Sequence, residues 1–121
     1  MVKKEILIVD DQFGIRLLLT DILEGEGYSV ATAVSGKEAF DKLKKNTYSL
    51  VLLDYNLPIM HGGEVLRQMD LEHIEVPVIV MSGLSDQVKG EITDYTNVKQ
   101  VLAKPFNILD VQELIRITLD S

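Results

Sequence analysis

The chain contains no cysteine. That excludes a disulfide framework and any thiolate-bound metal, and it fits a reducing compartment. Long hydrophobic runs are also missing. The apolar stretch Ile6-Leu7-Ile8-Val9 is broken by Asp10 and Asp11 well before signal-peptide length. No segment approaches the ~20 apolar residues that a membrane-spanning helix needs. A soluble cytoplasmic protein without export signal or membrane contact is expected. Positive charge is scarce as well, with 12 Lys and Arg against 19 Asp and Glu, a net charge of −7 and no dense basic patch. Such a surface repels phosphate backbones, so nucleic-acid binding is not expected. Repeats, low-complexity tracts and Pro/Gly/Ser linkers are absent, and nothing divides the 121 residues. They read as one domain, 1–121, long enough to bury a core.

What the chain does have is alternation. Short β-branched runs at 6–9, 29–34, 50–53, 76–81 and 98–102 are separated by stretches of helical periodicity, the pattern of an α/β protein. The first, third and fourth runs are apolar without alternation, as in strands buried on both faces of a parallel sheet, whereas 29–34 is more polar and reads as an edge. Ile15, Leu18, Leu19, Ile22 and Leu23 form the stripe of a first helix that Gly25 and Gly27 end. Ser35 with Glu38 is a capping box for a second helix with Ala39, Phe40 and Leu43 inward. Asn107 with Asp110 opens the last helix, where Val111, Leu114, Ile115 and Thr118 share a face. The segment 85–95 is weaker, since Val88, Ile92 and Tyr95 are its whole stripe and Gly90 lies in its middle. The predicted architecture is a flavodoxin-like, doubly wound (βα)5 sandwich with a five-stranded parallel sheet in the order 2-1-3-4-5. Right-handed crossovers then bring every strand C-terminus to one edge, where ligands collect at the topological switch point.

The chemistry-bearing residues stand at that edge. Asp10 and Asp11 follow the first run, Asp54 the third, Ser82-Gly83 the fourth and Lys104-Pro105 the fifth. Any one aspartate could be a turn former. Three together are another matter, because two like charges ~4 Å apart at an effective dielectric near 20 repel by ~4 kcal/mol and call for a cation. Oxygen ligands alone select a hard ion, and Mg²⁺ suits a site that keeps several waters. Three acids, one hydroxyl and one ammonium make a phosphoryl-transfer pocket in which a carboxylate, best Asp54, attacks while Lys104 and the metal neutralise and Ser82 donates a hydrogen bond.

At these residues the chain resembles the bacterial two-component response regulator receiver family. The matching pieces are Ile8-Val9-Asp10-Asp11, Leu52-Leu53-Asp54, Leu57-Pro58 with Gly62, Met81-Ser82-Gly83 and Ala103-Lys104-Pro105-Phe106. The resemblance implies that Asp54 is the phosphoacceptor, that Asp11, Asp54 and the Asn56 backbone carbonyl bind Mg²⁺, and that Asp10 acts through a water of the metal's shell. It implies further that Lys104 pairs with the phosphoryl oxygens and that the Lys104-Pro105 bond is cis. Asp10-Asp11-Gln12-Phe13-Gly14-Ile15-Arg16, Gly25-Glu26-Gly27-Tyr28 and Lys104-Pro105-Phe106 are similar to the single-domain regulators of sporulation phosphorelays in bacilli. That similarity implies a relay without an output domain, monomeric, taking phosphate from a sensor histidine kinase and passing it to a histidine phosphotransferase, with an aspartyl-phosphate phosphatase as a further partner.

The first helix supports docking independently. Phe13, Ile15, Leu17, Leu18, Leu19, Ile22 and Leu23 span more than one core-facing stripe of ~100° can bury. A partner helix is expected on Gln12, Gly14, Ile15, Leu18, Pro105 and Phe106. Two departures from the family are Val101, where an aromatic or histidine is usual, and His61, where an aspartate is usual. Val101 puts coupled switching of Ser82 and that side chain in question, and His61, like His73, reads as a solvated residue rather than a ligand. Competing readings are a phosphatase of the haloacid dehalogenase type, a flavodoxin-like cofactor carrier and a receiver-shaped adaptor that is never phosphorylated. The first lacks its second aspartate, since Asn56 stands there. The second would need a phosphate loop where Asp10-Asp11-Gln12 would repel one. The third is disfavoured by the complete set of pocket residues. The protein is not expected to turn over a substrate as an enzyme does, because the phosphoryl group stays on the chain.

Overall fold

The computed structural model describes residues 4–92 and 94–120, and residues 1–3, 93 and 121 of the expected single domain lie outside that description. The elements alternate as β1 Glu5–Val9, α1 Phe13–Gly25, β2 Ser29–Ala33, α2 Gly36–Lys45, β3 Leu50–Asp54, α3 Gly62–Leu71, β4 Val78–Ser82, α4 Ser85–Glu91, β5 Val98–Ala103 and α5 Ile108–Asp120. The strands form one parallel sheet in the order β2-β1-β3-β4-β5. This is the expected flavodoxin-like topology, with the polar β2 at an edge. Every residue of β3 and β4 is buried, which is why these runs show no alternation of polarity.

Side chains nevertheless alternate between the two faces of the sheet. Leu7, Val9, Val51, Leu53, Val78 and Val80 pack against Ala39 and Leu43 of α2, Val65, Leu66 and Met69 of α3 and Val88 of α4. Ile6, Ile8, Leu50, Leu52, Ile79 and Met81 pack against Leu19, Ile22 and Leu23 of α1 and Val111 and Ile115 of α5. Each fully buried Leu or Ile contributes roughly 1.5–3 kcal/mol, so the two layers together hold the sheet between the helices.

Element ends follow the sequence signals with three adjustments. Ser35 Oγ accepts from the Glu38 N–H at 3.2 Å, but the Glu38 carboxylate accepts from the Val34 N–H at 2.8 Å rather than from Ser35. The box is closed one residue upstream, tying the end of β2 to α2. The 85–95 segment ends its helix at Glu91, and Ile92 and Tyr95 anchor the connection that follows it, Ile92 within the core and Tyr95 packed against it. β4 begins at Val78 rather than at residue 76, because Pro77 can offer no N–H to the ladder. Asn107 Oδ1 accepts from the Asp110 N–H at 2.8 Å, as the pattern predicts.

Candidate functional site

Parallel register is what brings the acidic residues together. Val9 lies opposite both Ala33 and Leu53, so Asp10, one step on, arrives beside Asp54 at the end of β3. Asp54 lies opposite Met81, and Ser82 opposite Ala103, which puts Ser82 and then Lys104 on the same edge. One carboxylate oxygen each from Asp10, Asp11 and Asp54 lies within 4.8 Å of the others. Asp10 and Asp54 are buried while Asp11 is exposed, so the cluster opens to solvent on one side.

Lys104 completes the pocket. Its Nζ lies 2.8 Å from Asp10 Oδ2 and 3.4 Å from Asp54 Oδ2. The other Asp54 oxygen accepts from the Asn56 N–H at 3.2 Å, and Asp10 Oδ1 accepts from the Gln12 N–H at 2.9 Å. Ser82 is buried and its Oγ accepts from the Leu84 N–H at 3.0 Å, leaving the hydroxyl proton for another acceptor. The Lys104-Pro105 bond is cis, as the resemblance implies. Among the described residues, no buried side-chain polar atom lacks a partner.

The electrostatics explain why this arrangement is poised for a cation. Burial pushes the Asp54 carboxyl above the usual carboxylate range; Lys104 and the Asn56 N–H oppose the shift, and Asp10 adds to it. Burial works to lower the Lys104 ammonium, but the hydrogen bond to Asp10 and the charges of Asp54 and Asp10 outweigh it and leave Lys104 raised. Because the folded state holds the Asp54 proton more tightly than the unfolded chain, ionised Asp54 costs stability. The cost is absent below the unfolded value near ~3.9 and complete above the folded one. Asp54→Asn is therefore expected to raise Tm by a few degrees at pH 7 in EDTA, with the gain shrinking as pH falls toward 4. Equal melting of the two proteins at pH 7 would contradict this account.

The donor set fits a hard divalent ion: three carboxylates, with no sulfur or imidazole among them. Neither His61 nor His73 joins the cluster. His61 is exposed and its Nδ1 accepts from the Gly63 N–H at 3.1 Å, so it caps α3, while His73 is an exposed turn residue with φ of +56°. Val101 is half-buried at the rim of the core, in the groove that Ile92, Tyr95 and Val98 share. Beside the acidic pocket lies a groove of about 350 Å³ lined by Gln12, Ile15, Leu18, Lys104, Pro105 and Phe106. Gly14 is exposed in the first turn of α1 but is not part of that lining.

Residues 6–116 match the family described as the response regulator receiver domain. The chain belongs to this family. The chain is 36% identical over 120 residues to sporulation initiation phosphotransferase F of Bacillus subtilis (strain 168), covering 96% of this chain and 94% of that protein. It is also 38% identical over 120 residues to the uncharacterised transcriptional regulatory protein YkoG of the same organism, covering 98% of this chain and 52% of YkoG. The chain thus spans about half the length of that transcriptional regulator. Among solved structures, the chemotaxis protein CheY4 of Vibrio cholerae superposes with a TM-score of 0.89 at 27% identity, covering 98% of this chain and all of that one (100%). The response regulator TrrA of Thermotoga maritima, solved with Mg(2+)-BeF, superposes with a TM-score of 0.85 at 31% identity, covering 96% and 99% of the two chains.

Some features of this receiver's site were not singled out from its sequence. Arg16 sends a guanidinium N–H to the Asp10 backbone carbonyl at 2.8 Å, tying α1 to the acidic turn. Tyr55, next to Asp54, is buried, and its hydroxyl donates to Glu91 Oε2 at 2.7 Å. Burial and then that bond push the phenol up to about 12, so it remains a donor at neutral pH. A tyrosine directly after the buried run Leu50-Val51-Leu52-Leu53-Asp54 was the available signal, since a buried phenol needs a partner.

Proposed function

We propose that residues 1–121 act as one receiver domain in which Asp54 accepts a phosphoryl group from a histidine kinase and passes it to a histidine phosphotransferase. The observation that carries this is the convergence of Asp10, Asp11 and Asp54 within 4.8 Å of one another, with Lys104 bridging two of them. In the first transfer an Asp54 carboxylate oxygen attacks phosphorus, and the P–N bond to the kinase imidazole breaks. In the second, an imidazole nitrogen of the phosphotransferase attacks the same phosphorus, and the P–O bond breaks to restore the carboxylate. Lys104 is already 3.4 Å from the Asp54 oxygen and neutralises charge on the transferred group; the Ser82 proton is free to bond a phosphoryl oxygen.

Asp10, Asp11, Asp54 and the Asn56 carbonyl would hold Mg²⁺. When bound, the ion supplies further charge neutralisation to the phosphoryl oxygens. The groove of Gln12, Ile15, Leu18, Pro105 and Phe106 flanks the pocket and receives an apolar helix face from the kinase or the phosphotransferase. An aspartyl-phosphate phosphatase would use the same approach. Similarity over nearly the whole length of sporulation initiation phosphotransferase F supports a place in a sporulation-type phosphorelay in the cytoplasm. The similarity to YkoG supports a second reading, in which the domain is the receiver half of a transcriptional regulator.

Incubation with acetyl phosphate and Mg²⁺ tests the core of the proposal. Intact mass should rise by one phosphoryl group on the wild type and not at all on Asp54→Ala, and an unmodified wild type would refute it. Loss of the group to an added histidine phosphotransferase separates the relay from the transcriptional reading.

A further inference from the structure

Tyr55 sits between the two residues that shape the pocket, Asp54 and Asn56, and it is anchored in four directions. Its N–H donates to the Met81 carbonyl of β4 at 3.0 Å, and its carbonyl accepts from the Gly62 N–H at the start of α3 at 3.1 Å. Its ring meets that of His61 edge-on with centroids 4.5 Å apart. Its hydroxyl crosses to the last residue of α4, donating to Glu91 Oε2 at 2.7 Å. The surroundings leave no slack on the α3 side: a methyl group at Gly62 would stand 2.7 Å from Tyr55 Cα and 2.8 Å from the Asp54 carbonyl oxygen.

On the α4 side the hold runs through the hydroxyl. This helix has seven residues and seats Val88, with Ile92 just beyond its end, in the core, and the Tyr55–Glu91 bond links its last residue directly to the turn after β3. The turn it steadies carries the Asn56 N–H that bonds Asp54 Oδ1 at 3.2 Å. A nucleophile works at its best rate only while such a turn is held in place, because preorganisation is lost with small displacements.

We propose that Tyr55 is a positioning residue for Asp54 and that Glu91 is its anchor, so that the placement of α4 sets the geometry of the phosphoacceptor turn. This rests on the reading of Asp54 as the phosphoacceptor. The full chain carrying Tyr55→Phe, Glu91→Ala, both changes, or Glu91→Gln tests it with two readouts. The first is the rate of phosphoryl uptake from acetyl phosphate with Mg²⁺, followed by intact mass. The second is amide hydrogen exchange of 85–91 in the metal-free, unmodified protein.

Loss of one hydrogen bond should slow uptake about fivefold in Tyr55→Phe and in Glu91→Ala, with the double variant no slower than either. Glu91→Gln keeps an acceptor and should stay near the wild-type rate. Exchange in 85–91 should quicken about fivefold in Tyr55→Phe. Independent, additive effects of the two single changes, or an uptake rate unmoved by either, would overturn the proposal. A wild type that takes up no phosphate would instead refute the phosphoacceptor reading; in that case unchanged exchange in Tyr55→Phe overturns the anchoring of Tyr55 by Glu91 and faster exchange sustains it.

Discussion

Lys104→Met is expected to lower Tm by about 10 °C in metal-free buffer, the consequence of stranding a buried carboxylate. Asp10 has no exposed surface, and the Lys104 ammonium is 2.8 Å from its Oδ2. Removing one partner of a buried ion pair leaves the other charge uncompensated and costs about 3–5 kcal/mol, here toward the lower end because Lys104 keeps some contact with water. The pH dependence has a definite sign. Lys104 is raised in the folded protein, so the stability it contributes is fully present below its unfolded value near ~10.4 and is lost as pH rises through the folded one. The gap between wild type and variant should therefore be constant through neutral pH and close in strong alkali. Mg²⁺ should restore part of the loss, since an ion that binds the folded state alone stabilises it by mass action. Phosphoryl uptake from acetyl phosphate should also fall sharply, because the cation facing the Asp54 oxygen is gone. Thermal melts in EDTA decide the matter, and a variant melting with the wild type would show that Asp10 is not held by this pair.

Gly36→Ala is expected to destabilise the fold by about 3 kcal/mol, near the upper range for overpacking a site that cannot give way. A β-carbon there would lie 1.7 Å from the Met60 carbonyl oxygen and 2.8 Å from Val65 Cγ2. The obstruction is backbone, and that backbone is already constrained. Ile59 and Met60 have φ of +42° and +78°, and the Ile59 carbonyl accepts from the Lys37 N–H at 3.0 Å. Non-glycine residues in this region cost of order 1–2 kcal/mol each, so the loop that follows Asp54 has little freedom to retreat. Gly14→Ala is the internal comparison. Nothing lies within 4 Å of its added methyl, and alanine in a helix gains roughly 0.5–1 kcal/mol over glycine. Urea titrations with unchanged slopes should place the two variants on opposite sides of the wild type. A Gly36→Ala protein as stable as its parent would mean that the loop moves freely.

The parts of this protein readable in one dimension were those set by local patterning. The unbroken runs of β3 and β4 announced burial on two faces, and the stripe of α1 announced its length, because period and composition report directly on which side faces the core. Val65, Leu66 and Met69 of α3 went without assigned boundaries, as their helix opens on two glycines and is capped by a histidine, His61, instead of a preferred residue. Leu18 shows the complementary difficulty. It belongs to the apolar stripe of α1 yet is 40% exposed and lines the groove beside Pro105. Periodicity cannot tell a core residue from one kept for a partner.

Sequence alone determined the fold class, the strand order expected of it and the identity of the acidic, hydroxyl and lysine residues at the strand ends, because strand termini and parallel crossovers are local and handed features. Tertiary structure decided the rest. Only register across the sheet puts Asp10 level with Asp54 and Lys104 against both, and only the packing of α4 on β4 and β5 brings Glu91 to the Tyr55 hydroxyl. Those pairs are separated along the chain by dozens of residues, so no spacing rule encodes them. They exist because burial fixes each strand in one register, and a carboxylate or phenol taken from water must find its partner there.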